Sequence, residues 1–451
     1  MDTAAWSPVR MDETIPSISA ASDMGWGRVL IGLGSLCLIA WLCSSDRRRF
    51  PWRVVIGGLG LQIAIVLLLL RVPGTSQAFE WIATKVTIAI GMAGAGSEFV
   101  FGPLAAADGP AGFVFAFRVL PVIVYFAAVM GVLYHLGVMQ RIVAGMAWVM
   151  RRTLGVSGAE SVTVAANVLV GQTEAPLCVR PFLPRMTRSQ LMVVMASGFA
   201  TIAGSVFAGY VEFLGGGDEA RRILFAKHLL TASLMSAPAA FVMAKIMLPE
   251  QEVEPVETLG AQPTIDRPAE NALDAVVLGA SQGLKLALNV GAMLVAFIAI
   301  LALLDWPLRS FSEVSWVAAW REEMGIGVFS IQGMLGVLFR PIAWLIGTPV
   351  QDIAIVGRLL GTSVVATEFV AYAELSDVIQ RDAISPRSVV VVTYALCGFA
   401  NIPSMAIQIG GLGAIAPSRR GDFSRIAPRA LMAGLLACWC TATLGGFVSG
   451  Q

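Results

Sequence analysis

Two short stretches hold acids in a chain that otherwise avoids them. GQTEAPLCVRPFLPR, residues 171–185, sets Gln172, Thr173 and Glu174 side by side, and ATEFVAY, residues 366–372, carries Glu368. Each acid sits beside hydroxyl or amide groups and not beside a Lys or Arg. Each is followed by a related run, SGFATIAGSV after the first and CGFANIPSMAI after the second. An ionisable side chain at membrane depth marks a functional site by default, because it is expensive to keep there. A carboxylate accepts two hydroxyl hydrogen bonds, which suits a vicinal diol. A primary amide such as Gln172 or Asn401 offers donor and acceptor together, which reads a nucleobase edge or a sugar hydroxyl. An anionic ligand would call for a convergent Lys or Arg; Arg180, Arg185 and Arg188 fall instead on the side assigned below to the cytoplasm. The plainer alternative is a carboxylate that caps a broken helix end by accepting backbone N–H groups, and the two roles are compatible.

The elements that must hold these acids are membrane helices. The 451 residues are 57% hydrophobic and 14% charged, with a mean hydropathy of +0.76, against roughly 25% charged in soluble domains. The apolar runs are continuous rather than alternating, so they read as spanning α-helices and not as a barrel. Eight spans are expected, at Val29–Cys43, Val54–Leu70, Phe113–Val138, Leu191–Phe213, Ile223–Leu248, Ala275–Leu304, Val389–Ile409 and Ala430–Val448. Arg47, Arg48 and Arg49 in the first turn, and SRRGDFSRIAPR before the last span, put those turns in the cytoplasm. Both termini then lie in the periplasm, with the spans in the inner membrane. Phe79–Gly102 mixes Glu80, Lys85 and Glu98 with apolar residues and reads as a membrane-surface or short helix on the outer side. FSIQGMLGVLFRPIAWLIG carries Arg340 at its centre and reads as an outer-surface helix, and QRIVAGMAWVMRR as a basic helix on the cytoplasmic face.

Ala159–Arg185 and Val350–Gln380 resist this scheme. Each is interrupted by Gly or Pro and acids near its middle, and each must begin and end on one side if the basic turns are to stay inside. Both read as re-entrant helical hairpins, the first entering from the cytoplasm and the second from outside. Broken backbone at membrane depth is tolerated only where protein buries it or water reaches it. Each hairpin is followed by a span that opens with Gly-Phe-Ala, so the chain holds an inverted repeat, the organisation of secondary transporters with a midplane site. The fold class is thus all-α and polytopic, with eight transmembrane helices and two re-entrant hairpins. Its segments are a polar tail (1–27), three spans (28–138), an interfacial helix with the first hairpin and two spans (139–248), a Pro- and Glu-rich cytoplasmic linker (249–271), a span with the outer-surface helix (272–347), and the second hairpin with the last two spans (348–451).

Other classes are poorly served. A net charge of +1 gives no reason to expect nucleic acid. The six cysteines lack metal-like spacing and read as packing residues. A channel would need a continuous polar stripe or a carbonyl filter. An enzyme would need a nucleophile with a base, or a metal cluster, and the two histidines, His135 and His228, lie far apart in sequence.

The motifs GQTEAPL…RPFL, GFATIAGSV, LNVGAMLVAFIA, EFVAY and CGFAN…SMAIQIGGLGAIAP resemble those of the concentrative nucleoside transporters, in that family's order and from the first span to the last helix. The resemblance implies a homotrimer, each protomer having a scaffold (28–138 and 272–347) and a moving transport domain, and uptake of nucleosides coupled to Na⁺ or H⁺. It implies that Gln172, Thr173, Glu174 and Val206 face the nucleobase, that Glu368, Asn401 and Ser404 bind the ribose, and that Phe399 packs on the ligand. It also implies a sodium site at the Asn167 side chain, the Val170 carbonyl, the Thr201 hydroxyl and the Ile202 carbonyl, and oxygen-only ligands are what a hard cation takes. Na⁺ is favoured on that ground. Proton coupling through Glu174 is the alternative, and a receptor that binds nucleosides without moving them is a further one. No organic cofactor is implied. Thr367, Pro403 and Ser363 stand where the family often has Asn, Ser and Lys, and bear on sugar or base preference.

Overall fold

A computed structural model describes residues 25–106, 114–216, 218–252, 269–323 and 329–449. Most of the expected polar tail and of the 249–271 linker lies outside these residues. Among the described residues the secondary structure is helical, without a β-strand. In chain order the helices are α1 (Trp26–Leu42), α2 (Trp52–Leu70), α3 (Thr75–Gly91), α4 (Ala93–Phe101), α5 (Phe115–His135), α6 (Val138–Leu154), α7 (Gly158–Asn167), α8 (Arg188–Ala200) and α9 (Gly204–Gly215). There follow α10 (Glu219–Met247), α11 (Ala272–Ser312), α12 (Ser315–Glu323), α13 (Ile331–Leu345), α14 (Ile353–Val365), α15 (Glu368–Gln380), α16 (Pro386–Ala395), α17 (Ile402–Ile415) and α18 (Arg420–Ser449).

Seven stretches among the described residues are long and apolar enough to cross a membrane. Six coincide with expected spans: α2, α5, α8 with α9, α10, α11 and α18. The seventh, Thr75–Leu104, differs from the surface helix expected there. Only Met92 separates α3 from α4, so the pair with the 3₁₀ turn Gly102–Leu104 reaches 30 residues, and its scattered charges do not lower its hydropathy below that of a span. Two expected spans fall short of that length as single helices. The α1 helix has 17 residues, and the Val389–Ile409 span is split into α16 and α17.

Side-chain caps set the breaks. Ser157 and Glu160 form a reciprocal capping box at the start of α7, and Thr187 with Gln190 forms another at α8. Thr367, Ser385 and Asn401 cap α15, α16 and α17. The first hairpin is α7, a bend over residues 168–174, and then short 3₁₀ turns at Ala175–Val179 and Leu183–Arg185 rather than a second α-helix. Pro176, Pro181 and Pro184 explain that, since each removes a backbone donor. The second hairpin is α14 and α15, joined across Ala366 and Thr367.

The bases of the two hairpins are tied to different ends of α1. At the first, Lys245 pairs with Glu160 at 2.6 Å and donates to Ser189 at 3.2 Å, while Thr187 donates to Glu250 at 2.8 Å. Arg49 reaches the Glu250 carbonyl at 3.5 Å, which brings this cluster to where α1 finishes. At the second, Ser388 donates to Asp352 at 2.6 Å, and Arg28, on the first turn of α1, donates to the Thr348 carbonyl at 2.8 Å.

Helices α5 and α11 form a close pair. A Cβ on Gly131 would lie 2.6 Å from the Ala275 carbonyl, and one on Gly279 would lie 2.6 Å from that of Ala127. Small residues are how helices approach so nearly where lipid supplies no hydrophobic drive.

Candidate functional site

Four backbone interruptions converge on one cavity. The α8–α9 helix loses its hydrogen-bond ladder at residues 201–203, and the α16–α17 helix does so just before Asn401. The two gaps touch, with the Phe399 amide donating to the Thr201 carbonyl at 3.4 Å. Glycines make room for this. A Cβ on Gly398 would lie 2.6 Å from the Phe199 carbonyl, and one on Gly198 would lie 2.8 Å from the Gln172 Cβ. The tip of the first hairpin is held to the gap by the Gly204 amide, which donates to the Leu169 carbonyl at 3.0 Å.

The cavity is about 320 Å³, and all eight ligand-facing residues expected from sequence line it: Gln172, Thr173, Glu174, Val206, Glu368, Phe399, Asn401 and Ser404. Both acids therefore open onto the same space. Glu368, at the first position of α15, is 3% exposed and accepts from Tyr210 at 2.9 Å on one oxygen and from Asn401 at 2.6 Å on the other. Each oxygen keeps a further lone-pair site for a ligand hydroxyl. Asn401 is oriented by accepting the Ser404 amide at 2.7 Å. Glu174 is more accessible, and among the described residues neither acid is paired with a Lys or Arg. The Gln172 side-chain Oε1 is buried without a partner among the described residues.

Two of the expected cation ligands, Asn167 and Thr201, meet at Ser197. Asn167 is fully buried, donates to the Ser197 hydroxyl at 2.8 Å, and leaves its Oδ1 without a partner. One turn on, the Thr201 hydroxyl donates to the Ser197 carbonyl at 2.8 Å, which leaves its oxygen lone pairs free to accept. Val170 lines the cavity, and Ile202 is buried beside the gap. Such neutral oxygens fit a hard monovalent cation. Among the described residues no group of three or more His, Cys, Asp or Glu comes together.

Sequence reasoning missed Tyr210, Tyr134, Gln282 and Asn289. Tyr210 is 1% exposed and packs with a tilted ring against Tyr372, centroids 4.5 Å apart; its place one turn after Val206 was the available signal. Tyr134 on α5, and Gln282 and Asn289 on α11, line the cavity from helices whose acids, where present, do not line it. Of the departures, Thr367 caps α15 and lines the cavity, Ser363 donates back to Leu360 at 2.8 Å inside α14, and Pro403 takes an early α17 position where no N–H is needed.

Family models match three parts of the chain: "Na+ dependent nucleoside transporter N-terminus" over residues 31–104, "Nucleoside recognition" over 116–217, and "Na+ dependent nucleoside transporter C-terminus" over 228–446. The chain belongs to the concentrative nucleoside transporter family. It is a transporter, not an enzyme, as its relatives are. It is 41% identical to an uncharacterized transporter of Haemophilus influenzae, covering 93% of this chain and 97% of that one. It is 39% identical to solute carrier family 28 member 3 of Rattus norvegicus and 37% to sodium/nucleoside cotransporter 1 of Homo sapiens. This chain spans 59% and 64% of those two mammalian proteins. Solved structures of the family agree. CNTnw in an inward-facing substrate-bound state is 37% identical with a TM-score of 0.83, covering 94% of this chain and 97% of that one. A variant of CNTnw in an outward-facing state has a TM-score of 0.85, at 37% identity over 94% of this chain and 98% of that one.

Proposed function

We propose that this transporter takes up nucleosides across the inner membrane, driven by sodium. The observation that carries the reading is the Tyr210–Glu368–Asn401 cluster at the cavity wall, with Gln172, Thr173 and Glu174 on the first hairpin opening onto the same space. Glu368, Asn401 and Ser404 bind the ribose hydroxyls; Gln172, Thr173, Glu174 and Val206 meet the base, with Phe399 packed on the ligand. Sodium sits among Asn167, Val170, Thr201 and Ile202, and its arrival orders the hairpin tip that carries Glu174.

The two hairpins are an inverted repeat, as their attachment to opposite ends of α1 suggests. They move with their broken helices past α5 and α11 in an elevator-like cycle. The assembly is a homotrimer, in line with the family. Arg49 and Arg188 belong to the same end of the bundle, linked through Glu250, Thr187 and the Arg188–Asp422 pair, and this end faces the cytoplasm by the positive-inside rule. Both termini are then periplasmic.

Uptake of labelled uridine into proteoliposomes, in sodium-free buffer across a pH series, is the test. Uptake should collapse without sodium. Uptake that persists undiminished and follows the pH gradient replaces sodium with protons, and saturable binding without counterflow leaves a receptor.

A further inference from the structure

Where α1 begins and α18 finishes, two arginines, Arg387 buried and Arg28 half-buried, are paired with no acid among the described residues. Arg387, on the first turn of α16, is 9% exposed, yet its Nε and Nη2 have no partner. Arg28, on the first turn of α1, lies within electrostatic reach of it. One Arg28 nitrogen donates to the carbonyls of Trp344 and Thr348 at 3.2 and 2.8 Å, but its Nε is buried without a partner. Thr348 is fully buried beside it, and its hydroxyl is unpartnered too. The acid in this region, Asp352, accepts from Ser385 and Ser388 and pairs with neither arginine.

A guanidinium taken out of water without a counter-charge costs several kcal/mol by order of magnitude, so Arg387, with half-buried Arg28 beside it, calls for an anion. Their forked N–H groups match the oxygens of a phosphate. The N-terminus of α16 adds the same polarity. The rim of the site says where such an anion comes from. Trp26 and Trp344 are 55% and 43% exposed, and the Arg28 guanidinium lies 5.5 Å from the centre of the Trp344 ring. Tryptophans beside a basic residue at a bundle end mark headgroup level. The geometry points to a phosphate-binding site formed by Arg28 and Arg387, separate from the transport cavity and filled by the headgroup of an anionic phospholipid. It would fasten α1 and α16 to the Trp344–Thr348 segment, the connection that leads into the second hairpin.

The test is thermal unfolding of the full-length, delipidated protein in neutral detergent, with dioleoyl phosphatidylglycerol, dioleoyl phosphatidylcholine or inorganic phosphate added. Phosphatidylglycerol should raise the Tm of the wild type by about 2–4 °C over phosphatidylcholine, the shift about 1 kcal/mol produces. Arg28→Gln and Arg387→Gln should each abolish that gain, and native mass spectrometry should find one phosphatidylglycerol per subunit lost in each. Without lipid, Arg387→Gln should melt no lower than the wild type, because it removes an uncompensated charge. If inorganic phosphate gives the same Arg387-dependent gain, the free anion is the occupant of the same site. The inference is overturned if neither phosphate source shifts the wild type, or if both variants keep the full gain. Should one variant fail to fold, the other reads the same shift.

Discussion

Asn401 donates to Glu368 at 2.6 Å while its own Oδ1 accepts the Ser404 amide at 2.7 Å. One amide therefore both starts α17 and aims the acid that starts α15. Two helix N-termini, each with free N–H groups, are brought to the same wall of the cavity, and their polarity favours a negative charge there. The carboxyl group is oriented by neutral donors without a cation, which leaves its outer lone pairs for neutral hydroxyl donors.

Replacing Glu368 by Gln keeps the shape and removes the charge. A hydrogen bond to a charged group contributes about 1.5–3 kcal/mol, so uridine should bind roughly tenfold to a hundredfold more weakly. Equilibrium binding by calorimetry reads this, and the size-exclusion elution of the protein should not move. An unchanged dissociation constant would remove Glu368 from the ribose site.

Tyr210→Phe tests positioning, because Tyr210 steadies Glu368 from behind at 2.9 Å. The loss should be smaller, about 0.5–1.5 kcal/mol. It should vanish for a ligand lacking the ribose hydroxyls, whereas a merely structural defect would weaken both ligands alike.

Asn167→Ala and Thr201→Val remove neutral oxygens from the proposed sodium site. The sodium concentration for half-maximal uptake should rise several-fold, while uridine affinity at saturating sodium stays near the wild-type value. A drop in uridine affinity with an unaltered sodium dependence would count against the site.

Gly279→Val is a packing test. Its Cβ would sit 2.6 Å from the Ala127 carbonyl and 2.8 Å from the Ala128 Cα, both backbone, so α5 and α11 must part. Overpacking of this kind costs about 1–3 kcal/mol, to be seen as a lower melting temperature.

Lys245→Met leaves Glu160 charged and alone in a site where the two side chains are 6% and 0% exposed. Breaking such a pair costs about 3–5 kcal/mol, whereas replacing both partners is often close to neutral. The double variant with Glu160→Gln should therefore melt well above Lys245→Met. If it melts lower, the pair contributes more than charge balance.

Charge made the centre of the site legible. Glu174 and Glu368 stand out because nearly everything around them in the sequence is apolar, and the repeated Gly-Phe-Ala run tied each to a helix that opens. The function of those glycines was not legible. Gly198 yields to the hairpin tip and Gly398 to the opposite gap, contacts between residues far apart in the chain that no local pattern encodes. Tyr210 was hidden for a related reason: inside an apolar helix an aromatic reads as packing until its hydroxyl is seen on Glu368. Gln282 and Asn289 come from a helix whose acids lie near its ends, so even the LNVGAMLVAFIA motif in its middle did not mark Asn289 as facing the cavity. The α3–α4 stretch misled because scattered charges look amphipathic, although two stacked helices together supply the length of a span.

The Phe399 amide resting on the Thr201 carbonyl has a mechanical consequence. A cation held beside Thr201 and a sugar held beside Asn401 would hang from one knot of main chain, so neither load can travel while the other stays behind. The stoichiometry of such a pump would then be enforced by its skeleton, and a leak would require untying that knot.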